Sequence, residues 1–258
     1  MSVEILPVQT SPITLGPLTF EHAALSESQA VLLQLLNNQH RQTTLIGFIN
    51  PHVFNLACQY DEVARFITQC RLCCIDGIGV HIAARLLCRP TVTRIVAEEL
   101  FNLMLSSTAF NSNAVLIGVT RDEVAAATVA INQASPSINI IDCIDGFQSD
   151  ANYNAFLADH LQTDLILIGA GTPRSEQIAL LAHQFCQRAV VWHIGAGTIK
   201  TWAGTKRRAP GWISRLGMQW LHRMWHEPHT RSRYLSGGLR FIENLSNSSQ
   251  SDHNGAAQ

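Results

Sequence analysis

Asp76 ends a short apolar run, Leu72-Cys-Cys-Ile75, and is followed by Gly77-Ile-Gly79. A carboxylate there can take the proton of an attacking hydroxyl, because apolar surroundings raise its proton affinity toward neutral pH. The same position suits the N-cap of a helix opening near Ile78, so a structural and a chemical reading both stand. Two Gly-x-Gly turns, Gly169-Ala-Gly171-Thr-Pro173 and Gly195-Ala-Gly197-Thr198, would let backbone N–H groups approach an anion if helices begin behind them. Neither completes GxGxxG, and a plain tight turn accounts for either. Pro173 suits the first position of the helix that follows, with Glu176 in its first turn. Arg94 follows the Pro90 turn, where its planar fork suits phosphate as readily as a solvated surface. Nine of the 18 lysines and arginines fall between Lys200 and Arg240, interleaved with Trp202, Trp212, Trp220, Trp225 and Tyr234, and Glu227 is the only carboxylate among them. That segment is built to meet an anion: a nucleic acid, a lipid surface or a phosphorylated small molecule.

These residues must be held by elements, and the apolar pattern supplies them. Strand-length runs at Thr43–Ile49, Arg71–Ile75, Ala114–Gly118, Ile138–Cys143, Asp164–Gly169 and Val190–Ile194 alternate with helix-period segments. That alternation predicts an α/β fold with a doubly wound, mostly parallel, Rossmann-like sheet covered on both faces. Ligands of such sheets bind beyond the carboxyl ends of the strands, so Asn50-Pro51, Asp76-Gly77, Gly169–Pro173 and Gly195–Thr198 should share one crevice. Residues 1–194 form the core on this reading, with residues 1–20 an irregular arm or short hairpin and Phe20–Asn38 a helix. Residues 195–244 form a basic, Trp-rich, helical appendage, and 245–258 a disordered tail.

With 258 residues, 47% of them hydrophobic and 14% charged, the chain can bury a large core. Its formal net charge of -1 makes the basic segment a matter of segregation within the chain. The apolar runs are too short to cross a bilayer, which takes about 20 residues, and no secretion signal is visible, so a cytoplasmic location is expected. Seven cysteines, an odd number mostly in apolar contexts, read as reduced and buried, and Cys70-x-x-Cys73 lacks a second pair with zinc spacing.

Taken in order, the motifs resemble the WecG/TagA/CpsF family of bacterial glycosyltransferases across residues 43–240. The resemblance is carried by Asn50-Pro51, Asp76-Gly77-Ile78-Gly79, Arg94-Ile95, Gly118, Gly146-Phe147, Gly171-Thr-Pro173 and Gly195-Ala196. It continues through Ala203-Gly204, Arg208-Ala209-Pro210, Trp220, Arg223, Glu227-Pro228 and Arg233-Tyr234. It implies a metal-independent, inverting transferase that uses no cofactor and moves a sugar from a UDP-sugar to a polyprenyl-diphosphate-linked saccharide. It also implies work at the inner face of the cytoplasmic membrane, against an anionic surface, with no nucleic-acid partner and with self-association left open. By resemblance Asp76 is the general base, Arg94, Arg223 and Arg233 surround the diphosphate, and Asn50, Gly77, Gly118, Gly171, Pro173, Gly195 and Arg208 line the substrate site.

The chain departs from the family pattern at Phe48, Ser175, Lys200, Gln219 and Thr230. These departures leave the donor sugar open and keep in play a degenerate member that binds nucleotide-sugar with little turnover. A non-catalytic module for anions or membranes is the more distant alternative. A dinucleotide oxidoreductase is disfavoured by the incomplete glycine fingerprint.

Overall fold

A computed structural model describes residues 10–38, 42–88, 91–206, 219–226 and 236–247. Six parallel strands form the central sheet: β3 (Thr44–Ile49), β4 (Leu72–Ile75), β5 (Ser112–Gly118), β6 (Ile138–Ile144), β7 (Leu165–Gly169) and β8 (Val190–His193), in the order β4-β3-β8-β7-β5-β6. Each inner strand splits its side chains between two cores by simple alternation. Val115, Ile117, Ile166, Ile168 and Val191 face one core, shared with α2 (Pro51–Ala57), α3 (Asp61–Gln69), α4 (Ile78–Leu87), α7 (Asp150–Asp159) and α8 (Arg174–Phe185). Ala114, Leu116, Leu165, Leu167, Val190 and Trp192 face the other, shared with α1 (Leu25–Asn37), α5 (Ala97–Leu105), α6 (Arg121–Ala134) and α9 (Ala196–Trp202). The expected doubly wound α/β class is what forms.

The two edges of the sheet are finished differently. At β6 the pattern relaxes to exposed Asn139, Ile141 and Asp142, as an edge strand permits. At β4 every residue is buried because a hairpin, β1 (Ser11–Leu15) and β2 (Leu18–His22), lies over it and contributes Ile13, Leu15, Leu18 and Phe20 to the first core. His22 fixes this cover: its Nδ1 lies 3.1 Å from the Cys73 carbonyl oxygen and its Nε2 3.0 Å from that of Thr93.

Three sequence expectations change here. Helix α1 starts at Leu25 rather than Phe20, because residues 18–22 alternate and pair with β1. The turn from Gly195 to Trp202 packs into the sheet, with Ile199 fully buried, so α9 is part of the core and not of an appendage. The helix α10 (Gln219–His226) is followed by α11 over 236–247, which docks back on the core. Phe241 is buried edge-on to Phe54 with ring centroids 5.1 Å apart, while Asn55 donates to the Gly237 carbonyl at 2.8 Å and accepts from Asn244 at 3.0 Å. Residues 245–247, expected in a disordered tail, are the end of this helix, and 248–258 lie outside the described residues.

Candidate active site

All six strands end at one edge, and two kinds of structure meet there. At β4 and β3 the edge offers side chains. Asp76 is half-buried, and its N–H donates to the Ile49 carbonyl at 2.8 Å, which ties the end of β4 to that of β3. The N-cap of α4 is Gly77, at φ 93, so Asp76 stands one residue before the cap and the capping reading gives way. Burial first, and then the Asp76 charge, push the Cys74 thiol two residues earlier up to about 12.

Asn50 caps α2: its Oδ1 accepts from the N–H groups of His52 (3.0 Å) and Val53 (3.1 Å). A methyl group on Gly77 would lie 3.3 Å from Asn50 Cβ, so the two strand ends touch at this point. Arg94 is brought alongside by Ile95, whose N–H donates to the Ile75 carbonyl at 2.9 Å. Burial, and then the charges of Arg85, Arg94 and His22, hold His81 on the first turn of α4 below its ordinary value.

At β5, β7 and β8 the edge offers backbone. Gly118 has φ 149, and a methyl group on it would sit 2.4 Å from the Gly169 carbonyl oxygen; one on Gly169 would sit 2.8 Å from the Gly195 carbonyl carbon. Gly118 therefore packs on Gly169 and Gly169 on Gly195 backbone to backbone, with no room for a Cβ at Gly118 or Gly169. Val119, next in line, is held at φ 46, a strained conformation for a β-branched residue, and its carbonyl accepts from Gly146 N–H at 2.8 Å. The connection after β5 leads outward to β6 and the one after β7 inward to β8, so this strained residue sits at the topological switch point where such sheets bind ligands.

Pro173, expected at the first helical position, is the N-cap of α8, one residue earlier in the helix frame, and the Thr172–Pro173 peptide is cis. Gly171, at φ 84, has open space where a side chain would be. Gly195 (φ 83) opens α9 beside Phe48, whose ring would lie 3.3 Å from a methyl there. Lys200, one of the departures from the family pattern, is turned to α6: its Nζ lies 3.8 Å from Glu123 Oε1, to which Thr205 also donates at 2.8 Å. Arg208, Arg233 and Thr230 lie outside the described residues, and Arg223 falls within α10.

Sequence reasoning missed one feature. Beneath the Gly171–Pro173 turn, Glu176 is wholly buried; its Oε1 accepts from the Thr172 hydroxyl at 2.9 Å and lies 3.5 Å from His193 Nδ1. The Phe48 ring packs on His193 at a tilt of 39° with centroids 4.6 Å apart, and Phe66 meets it edge-on at 6.0 Å. Burial raises the Glu176 carboxyl to about 7 against the pull of its own N–H and the Thr172 hydroxyl, and burial alone pushes His193 down to about 3.

The 3.5 Å gap is within ion-pair reach, yet neither His193 Nδ1 nor Glu176 Oε2 makes a hydrogen bond. Burial drives both groups toward their neutral forms, so the pair is not an ion pair. A signal was present: Glu176 precedes Ala179 and Leu180 at the spacings that share a helix face, and both are buried.

With this geometry in place, comparison with known proteins adds a second line. The pattern described as "Glycosyl transferase WecG/TagA/CpsF family" matches residues 13–253. The N-acetylglucosaminyldiphosphoundecaprenol N-acetyl-beta-D-mannosaminyltransferase of Staphylococcus aureus strain COL is 25% identical over 215 residues, covering 83% of this chain and 84% of that protein. Its counterpart in strain MRSA252 is 24% identical over the same length. The match runs from within β1 to beyond α11 and includes Asp76, Arg94 and the glycine ledge: the chain belongs to the WecG/TagA/CpsF family of glycosyl transferases.

Proposed function

We propose that the protein transfers a sugar, with inversion, from a UDP-sugar to a saccharide carried on a polyprenyl diphosphate, with Asp76 as the general base. The observation that carries this reading is the division of the sheet edge: a carboxylate and a guanidinium at the β4 end, and a side-chain-free ledge at β5, β7 and β8. From β4 to β5 is four strand spacings, about 19 Å at the usual separation. A ligand engaging both ends must be extended, as a nucleoside diphosphate sugar is. The nucleoside end belongs at the switch point by Val119 and Gly146, and the sugar near Asp76 and Asn50.

In the transfer, Asp76 takes the proton of the acceptor hydroxyl as its oxygen bonds to the anomeric carbon. The bond from that carbon to the β-phosphate oxygen breaks, and the electron pair leaves with UDP. UDP departs as a stabilised anion and needs no acid, so one carboxylate suffices. Negative charge grows on the β-phosphate, where Arg94, joined by Arg208, Arg223 and Arg233 of the appendage, and the N–H groups at Gly77, Gly171 and Gly195 lower the barrier. These cations fill the role a metal has in other transferases, so activity should survive chelation by EDTA.

The name of the relatives places their acceptor on undecaprenol, which supports a lipid-linked acceptor here. Among the described residues no helix is long and apolar enough to cross a membrane. On α10, Leu221 and Trp225 lie four apart and are exposed, Trp225 by 80%, an apolar stripe suited to resting on the membrane that carries the acceptor.

The test is a donor panel (UDP-Glc, UDP-ManNAc, UDP-ManNAcA, UDP-GlcA) with a short-chain polyprenyl-diphosphate saccharide under single-turnover conditions. Transfer with at least one donor, lost in Asp76→Asn at unchanged melting temperature, is the expected result. Absence of transfer with every donor would sink the reading.

A further inference from the structure

We propose that Glu176 and His193 act as a positioning pair for the Gly171–Thr172–Pro173 turn, gripping Thr172 weakly while the Glu176 carboxyl is protonated and firmly once it is an anion. The geometry is that of a built site. Glu176 and His193 are 0% and 1% exposed, they reach the site from α8 and β8, and they approach to 3.5 Å directly behind the turn. Each leaves a buried polar atom unbonded, Glu176 Oε2 and His193 Nδ1, an arrangement that a purely structural core would avoid by using apolar residues.

Two arrangements of the same atoms follow. With the proton present, the Glu176 carboxyl is neutral and can donate to His193 Nδ1, leaving Thr172 a neutral partner. With the proton lost to solvent, Oε1 is an anionic acceptor for the Thr172 hydroxyl and for an Nδ1–H of the neutral imidazole. Hydrogen bonds to a charged acceptor are about twice as strong as neutral ones. The groups facing Glu176 are His193 from β8, the Cys70 thiol at the end of α3 and Thr172 of the turn itself. Burial, then Cys74 and Glu176, hold that thiol well above its ordinary value, so it stays neutral through the relevant range. Phe48 and Phe66 pack on the imidazole, which is buried from solvent. Burial sets the carboxyl at about 7, which places the change of state in the neutral range.

Two hydrogen bonds carry the state of the pair along the turn: Ala170 N–H donates to Ser175 Oγ at 2.9 Å and Ser175 N–H to the Gly171 carbonyl at 2.7 Å. The consequence for catalysis rests on the transfer reading above, in which this turn meets the donor diphosphate, whereas the consequence for the turn itself does not.

Hydrogen–deuterium exchange of the full chain between pH 6 and 8.5, corrected for intrinsic exchange, tests it directly. The amides of Ala170, Gly171, Thr172, Arg174 and Ser175 should gain about fivefold protection as pH rises through 7. Glu176→Gln and Thr172→Val should abolish the step, and Thr172→Ser should keep it. A flat wild-type profile, or a step that persists in Glu176→Gln, overturns the proposal. In the transfer assay the KM for donor should fall across the same window with kcat little changed, and Glu176→Gln should lose that dependence. If the exchange step is present and the donor KM ignores it, the pair is structural and the positioning role is wrong. If no donor is transferred while the exchange step is present, the transferase reading falls and the pair's hold on the turn stands.

Discussion

The two halves of the sheet's carboxyl edge are built from opposite materials. At β3 and β4 the residues beyond the strands are Asn50, Asp76 and Arg94, side chains with charge or hydrogen-bonding reach, brought together by backbone bonds from Asp76 to Ile49 and from Ile95 to Ile75. At β5, β7 and β8 the corresponding residues are Gly118, Gly169 and Gly195, so tightly apposed that a methyl on Gly118 would lie 2.4 Å from a carbonyl oxygen. Side chains can change protonation and follow a reacting atom; bare backbone presents fixed dipoles at close range. One half is therefore suited to the chemical step and the other to holding a phosphorylated ligand still while it occurs.

One substitution in each half puts this division at risk. Asp76→Asn should cut transfer by about 10² to 10⁴, the usual contribution of a general base, with the melting temperature unchanged within error. Gly118→Ala should do the reverse. It places a methyl against Gly169 at φ 149 and should cost about 4 kcal/mol of stability, or about 10 °C in Tm for a chain of this size. A Gly118→Ala protein that melts like wild type would show that the ledge is not close-packed, and the division would lose its basis.

The sequence revealed these halves unequally. Alternating apolar runs bounded by Asn-Pro, Asp-Gly and Gly-x-Gly announced the sheet and the positions beyond its strands, because burial on both faces leaves few other ways to write a parallel strand. That Asp76 is not the cap of α4 was not legible, since an Asp-Gly pair before a helix fits either residue as N-cap, and only the φ of 93 at Gly77 decides it. The strain at Val119 was invisible, a valine in an apolar run being ordinary until its φ is known. His193 was hidden within Val-Val-Trp-His-Ile, where burial could be read but not the carboxylate arriving from α8. Contacts between residues distant in sequence, here Glu176 with His193 and Gly118 with Gly169, leave no local pattern.

A third test concerns the layer beneath the glycine half. A carboxyl raised from 4.5 to about 7 stabilises the fold fully below pH 4.5, and that contribution is lost as pH rises to 7. A histidine lowered from 6.5 to about 3 does the opposite: its contribution is intact above 6.5 and is lost as pH falls toward 3. Between 4.5 and 6.5 the two slopes, each about 1.4 kcal/mol per pH unit, cancel in the wild type. Glu176→Gln should therefore lose stability relative to wild type as pH falls from about 7 to 4.5, and gain on it as pH rises through the same window. His193→Gln should instead lose stability as pH rises from 4.5 to 7. Chemical denaturation at several pH values checks both, and parallel curves for the three proteins would show that the two groups titrate normally.

The smallest effect separates geometry from ligand contact within the glycine half itself. Gly171 has φ 84 with nothing within 4 Å of where a Cβ would stand, unlike Gly118. Gly171→Ala should cost only the backbone strain, about 1 kcal/mol or about 3 °C. Gly171→Asn should recover most of that, because asparagine tolerates this conformation. If the open space is where the donor diphosphate lies, neither variant recovers function: the KM for donor should rise by about tenfold in both while kcat changes little. Were Gly171→Asn to restore donor affinity along with stability, the turn would need only its bend and not its bareness, and close backbone approach to the phosphate would have to be sought at Gly195 instead.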